Sequence, residues 1–225
     1  DASEDKGFSL TIDSPDYEGE SSASSDILKH FVLRCVVRVD NGRLNLRVYR
    51  RGKRKPTLSI DDAYKNSIGK LYADLRFFPS REGTFTGLPV KGPQAKAWIK
   101  ANAGVAVFDR SFRVLPYGLS GDDWLSLAAD TARNERNTKS SLAQRHFPMD
   151  DETRKNTKLN YMLRLPSQNQ LVGAVQVFGT RNTEQGKVVD GLIATADRQG
   201  FVDNAAFRQL VDILRGAAEA IAYSD

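Results

Sequence analysis

Arg198 stands in the string TADRQG directly ahead of a long amphipathic pattern, and this pairing is where the chain is best equipped to do chemistry. The start of a helix presents N–H groups with no intrahelical partner. A guanidinium beside it adds a planar fork of donors, so the two together suit a phosphate. Asp203 reads as the N-cap. Phe207, Leu210, Val211, Leu214, Ala218 and Ile221 then recur at helical spacing as one buried face, with Arg208, Asp212, Arg215 and Glu219 on the wet face. The plain alternative for Arg198 is a solvated turn arginine.

Other chemistries find little support. The chain has no GxxxxGK[ST], GxSxG, HExxH or GxGxxG string. His146 lies in a polar stretch with no placed partner, and two histidines with one cysteine do not make a conventional zinc site. Cys35 sits in an apolar run and reads as a small core residue. One cysteine fits a reducing compartment, so a cytoplasmic location is expected. The sequence shows neither an apolar run long enough to span a membrane nor a secretory signal pattern, so no membrane partner is expected. The chain begins at Asp1, as an excised piece of a larger protein would.

At 225 residues and 40% hydrophobic content, the chain can bury a sizeable core. Its net charge of +5 hides an asymmetry. Residues 1–28 carry eight acids against Lys6 alone. Between Lys29 and Leu58 there are ten basic residues against Asp40 alone. Nine of the ten, Arg34, Arg38, Arg43, Arg47, Arg50, Arg51, Lys53, Arg54 and Lys55, surround Tyr49 and could track a nucleic-acid phosphate backbone. Alternatively the basic stretch is a solvated face paired with the acidic N-terminus.

The elements that must position these groups begin after a polar, serine-rich linker or tail over residues 1–26, with a folded region over 27–225. Within it, 27–60 reads as a hairpin subregion. Phe31, Leu33, Cys35, Val37 and Val39 alternate along one face, and Asn41-Gly42 makes a two-residue turn into Leu44, Leu46 and Val48. That turn sets Val39 opposite Leu44, Val37 opposite Leu46 and Cys35 opposite Val48. A further strand is expected over Leu71 to Phe78, then a helix opened by Pro93 with Ala95, Trp98 and Ile99 inward, then two short strands within Gly104 to Leu115. Ser120 and Asp123 are spaced as a capping box for a helix through Trp124, Leu125 and Leu127. Residues 133–160 read as a long exposed polar connection. Order is expected again at Tyr161 to Leu165 and Leu171 to Phe178. This mixture indicates an α+β fold, helices packed on a mixed or antiparallel sheet.

Three strings together carry a family resemblance: DRSFRVLPYGLSGDDWL at 109–125, PSQNQLVGAVQV at 166–177 and TADRQGFVDNAAFRQLVDIL at 195–214. In order and content they resemble the region after the ATP-binding domain of bacterial ATPases of the GHKL superfamily, which includes gyrase, mismatch-repair MutL proteins and the ninety-kilodalton heat-shock chaperones. The resemblance implies a middle or transducer domain, similar to the second domain of ribosomal protein S-five. Such a domain holds no nucleotide pocket and no cofactor of its own, and ATP with magnesium belongs to the intact protein. The implied partner is an ATP-binding domain, upstream or in trans, with a second copy of the chain and, at the basic hairpin, nucleic acid as the other expected partners. The implied role of Arg198 is to reach the γ-phosphate and couple ATP state to domain movement. Lys187, in EQGKVVDG, is the second candidate, because gyrase and MutL relatives use a lysine. A purely structural or oligomerisation domain is the remaining alternative.

Overall fold

A computed structural model describes residues 18–65, 67–119, 121–178, 182–184, 187–195 and 199–225. Side chains are described from residue 24 onward, except over 182–190. The hairpin is the clearest local outcome. Strands β1 (Leu33–Asp40) and β2 (Arg43–Arg50) pair with Val39 opposite Leu44, Val37 opposite Leu46 and Cys35 opposite Val48, as the Asn41-Gly42 turn dictates. Both turn residues take positive φ, 49° and 72°.

Five more strands complete one mixed sheet: β3 (Leu58–Ala63), β4 (Lys70–Phe77), β5 (Gly104–Asp109), β6 (Phe112–Val114) and β7 (Leu171–Phe178). The order is β3-β2-β1-β4-β7-β5-β6, and only the β5–β7 pair is parallel. A separate ribbon pairs β8 (Asn182–Glu184) with β9 (Lys187–Asp190). Strand β3 escapes sequence reading because Ile60 is its only buried residue. It is an edge strand built by pairing with β2 and marked by Asp61 and Asp62.

One face of the sheet carries the main core. Alternate residues of β1, β2, β4, β5 and β7 share this core with the C-terminal helix, which packs across β1, β2 and β4 over Ala205–Ser224. This helix follows two N-terminal ones, α1 (Glu18–Lys29) and α2 (Gly92–Asn102), and three short ones, α3 (Leu127–Arg133), α4 (Ser141–His146) and α5 (Asp151–Lys155), so it is α6. On the opposite face Ile27 of α1 and Ala95 and Ile99 of α2 join Phe78 in a smaller cluster that reaches Val172. The chain is therefore already helical at Glu18, within the stretch read as linker. Ile27 and Leu28 anchor that helix.

Three local expectations are corrected. The cap of α6 is Asn204, whose side chain accepts from Phe207 N, while Asp203 instead pairs with Arg208. Trp124 and Leu125 precede the helix, and Asp123 caps α3 by accepting from Ala128 and Ala129 N–H at 3.0 and 2.9 Å. Ser120 lies outside the described residues. Residues 133–160 are not a bare connection: they contain α4 and α5 and bury Ser140, Leu142, Ala143, Phe147 and Asn160.

The largest correction concerns Arg215 and Glu219. The helix is buried on all sides from Ile213 to Ala222, and these two side chains are only 5% and 0% exposed. Arg215 Nε meets Glu219 Oε1 at 2.9 Å, its Nη2 lies 2.7 Å from Asp130 Oδ2, and its Nη1 donates to the Leu125 carbonyl at 3.0 Å. Lys139 Nζ closes on Asp130 Oδ1 at 2.6 Å, and Glu219 accepts from the Lys139 and Ser140 N–H groups. Burial pushes the Glu219 carboxyl above its usual range, with the Arg215 bond opposing. Gly216 lets the chain at Ser140 approach, since a Cβ there would stand 2.6 Å from Ser140 Oγ. Charges at this depth persist only when paired, and this cluster ties α3 and the 139–142 segment to α6.

Candidate functional site

The first and third strings, far apart in the sequence, meet at the start of α6, and the second joins the first at Asp122. Pro116, Tyr117 and Gly118 turn the chain back against β5. Gly118 has φ of 75°, and a Cβ on it would lie 2.6 Å from Ala106 N, so only glycine permits this approach. Its N–H donates to Asp122 Oδ2 at 3.0 Å, Gln168 Nε2 donates to the Asp122 carbonyl, and Trp124 Nε1 donates to the Val105 carbonyl at 3.1 Å. The amide of Gln168 thus satisfies a backbone group of the turn, which joins the second string to the first.

The third string is held by aromatic rings. Tyr117 packs against Trp124, Phe201 and Phe207 with ring centroids 4.9, 5.8 and 6.0 Å away, and it is 6% exposed. Its hydroxyl accepts a hydrogen bond from Phe201 N–H at 3.0 Å. Burial pushes the Tyr117 hydroxyl above its ordinary pKa, against the lowering effect of that bond, and the Asp122 charge adds to the rise. Gly200 passes over the ring edge: a Cβ there would stand 3.1 Å from the hydroxyl oxygen, and its φ is 108°.

Above this box the chain closes on itself. Thr195 N–H and Oγ1 both donate to the Gly200 carbonyl, at 3.0 and 3.3 Å, and Val202 N–H donates to Ile193 O at 2.8 Å. Ala194 bridges Phe201, and Gln199 bridges Leu115 next to Pro116. Asn204 completes the frame by capping Phe207 N–H at 2.9 Å and donating to Gly191 O at 2.9 Å. Arg198 itself lies outside the described residues, immediately before Gln199. Lys187 begins β9, and its side chain is likewise outside the description.

No protein-family model, curated protein or solved structure matches this chain. The site has to be read from its own chemistry. No group of three or more His, Cys, Asp or Glu side chains suited to a metal occurs among the described residues. A cleft of about 460 Å³ opens elsewhere, between Tyr64, Ser141, Arg145 and Asp212. Its arginines are already neutralised, Arg145 by Asp62 and Arg208 by Asp203. No described helix is long and apolar enough to cross a membrane.

The basic residues of the hairpin divide into two groups. Arg34 and Arg76 both clamp Asp74 at 2.9 Å. Burial raises the Asp74 carboxyl, but the two guanidinium groups outweigh it and hold the pKa below the usual range. Arg43 pairs with Asp61, Arg50 donates to the Ser224 carbonyl at 2.9 Å, and Arg51 donates to the His30 and Thr84 carbonyls. Arg38 lies over the Tyr72 ring at 5.4 Å. Arg47, Lys53, Arg54 and Lys55 are exposed.

The sequence reading missed Arg215, Glu219, Asp130 and Lys139 as a unit. The signal was present in the i, i+4 spacing of Arg215 and Glu219 and in the small residues at 216–218, 220 and 222 that surround them.

Proposed function

We propose that this chain is the transducer-like region of a GHKL-type ATPase, with Arg198 as the cation that reaches the γ-phosphate of ATP bound in another domain. The observation that carries the reading is the bond from Phe201 N–H to Tyr117 Oη, because it joins the first and third strings three residues after Arg198. A cation acting on developing phosphoryl charge gains most from a rigid base, since reorganisation would consume its stabilisation. The Thr195–Gly200 closure and the aromatic box supply such a base. Lys187 is the second candidate and would act as a point charge instead of a fork. On this reading the S-five-like element includes the parallel β5–β7 pair, ATP and magnesium are bound by a domain upstream or in trans, and the intact protein works in the cytoplasm of a bacterium, with homodimerisation as an open arrangement.

The test uses the intact ATPase. Arg198→Ala should lower turnover about 10-fold or more while leaving nucleotide affinity nearly unchanged, because the side chain acts in the closed state. An equal loss from Lys187→Ala with none from Arg198→Ala would transfer the role. Saturable micromolar ATP binding by the isolated chain in calorimetry would overturn the reading, since a transducer carries no pocket.

A further inference from the structure

Among the described residues, helices α1 and α2 cover only part of the core-distal face of the sheet. Helices α1 and α2 lie over the end that holds Val172 and the Arg34–Asp74–Arg76 clamp, where Arg76 also reaches the Leu28 carbonyl. Beyond them the same face presents Asn45, Arg47 and Tyr49 of β2 beside Val36 and Arg38 of β1. Arg38 and Arg47 are exposed, and Val36 and Tyr49 are half-buried. The register puts Val36 opposite Arg47 and makes it a diagonal neighbour of Tyr49, so apolar surface and cations interleave. The strand β2 leads into a turn in which residues 51–57 are all exposed and Arg51, Lys53, Arg54 and Lys55 crowd together.

Charge bookkeeping on this face leaves an excess of cations. Asp40 is taken by Lys70, Asp61 by Arg43, and Asp74 by two arginines at once. Among the described residues no carboxylate pairs with Arg47, Arg51, Lys53, Arg54 or Lys55. Uncompensated like charges this close repel one another, and a polyanion lying across them relieves that repulsion by releasing its own counterions.

We propose that this open face and the β2–β3 turn bind single-stranded nucleic acid. Phosphates run past Lys53, Arg54 and Lys55 onto Arg47, and base faces rest on Tyr49 and Val36. A single strand is favoured over a duplex because Tyr49 and Val36 offer apolar area that only unstacked bases can use. The recognition is tolerant of sequence, as stacking and phosphate contacts are.

The test is fluorescence anisotropy of a labelled deoxythymidine 20-mer with the full chain, from about 50 mM salt upward. Binding should weaken steeply with salt, with a slope of roughly −0.7 per phosphate contact in log K against log salt. Lys53→Gln/Arg54→Gln/Lys55→Gln should cut affinity about 10-fold and Arg47→Gln about 3-fold, and each should flatten the slope. Tyr49→Ala should weaken binding by about 5-fold or more with the slope unchanged. The charge-matched Arg133→Gln/Lys155→Gln/Lys158→Gln variant, on exposed positions of α3, α5 and the turn after α5, should leave binding intact. No binding at 50 mM salt overturns the proposal. So does an equal loss from the remote variant, or tighter binding of the matching duplex with Tyr49→Ala silent. Thermal melts of each variant separate lost contacts from lost folding.

Discussion

Tyr117 and Phe201 stand 84 residues apart in the chain and are joined by a 3.0 Å hydrogen bond from the Phe201 N–H to the Tyr117 hydroxyl. Tyr117→Phe keeps the ring packing and removes the acceptor, leaving a buried N–H unsatisfied. The expected loss is about 1–3 kcal/mol in chemical denaturation. In the intact ATPase it should also lower turnover, because the segment following Arg198 loses its anchor. A variant with full stability and full turnover would show that the bond positions nothing.

Gly118→Ala should be far more damaging than its size suggests. The new Cβ would meet backbone atoms of Ala106 at 2.6 and 2.7 Å, and the φ of 75° disfavours any side chain. Neither neighbour is a flexible tip that can move aside. Destabilisation of about 3 kcal/mol or more is expected, whereas Gly121→Ala, at an open position of φ 89°, should cost about 1 kcal/mol, as strain alone does. Equal melting temperatures for the two variants would contradict the close approach.

The buried cluster on α6 separates removal of one charge from removal of all. Arg215→Met leaves Glu219 buried without its cation and Asp130 with Lys139 alone, so a loss of about 3–5 kcal/mol is expected. Glu219→Gln keeps one acceptor oxygen, enough for only one of the Lys139 and Ser140 N–H groups, which bond separate carboxylate oxygens, but it leaves Arg215 paired with Asp130 and should cost less than Arg215→Met. A double-mutant cycle between the two sites should give a coupling clearly above zero.

The Asp74 clamp sets a pH dependence. Its folded-state pKa is depressed, so the stabilisation is present above the unfolded value of about 3.9 and disappears as pH falls through the lower folded value. Asp74→Asn should be destabilised by about 1–3 kcal/mol at pH 7, and the gap from the natural protein should close in strong acid. A gap that stays constant down to pH 2 would mean the carboxylate charge is not what the two arginines hold.

Removing residues 1–17 deletes Asp1, Glu4, Asp5, Asp13 and Asp16 with Lys6 as the only cation, and it stops before α1. If the basic face takes single strands, this deletion should tighten their binding at low salt by lifting competition. Cutting at Ile27 instead would remove Ile27's own helix from the second core and confound charge with folding. Unchanged affinity after the shorter deletion would show that the acidic segment does not screen the face.

What the sequence determined by itself is what rests on local chemistry. Asn41-Gly42 permits positive φ at two successive residues, and that turn with period-two alternation suffices to set the β1–β2 register. Pro93 and the spacing of Ala95 and Ile99 place α2 in the same way, and the apolar stripe through Leu210, Leu214 and Ile221 places α6. Tertiary structure alone decided which polar groups are buried. Arg215 and Glu219 look like a solvated i, i+4 pair until Asp130 and Lys139 arrive from a segment that sequence reads as exposed. The same holds for β3, which carries one buried side chain and exists as a strand because β2 offers it hydrogen bonds. Propensity and periodicity act over a few residues, whereas the desolvation of a charge depends on partners brought from far along the chain.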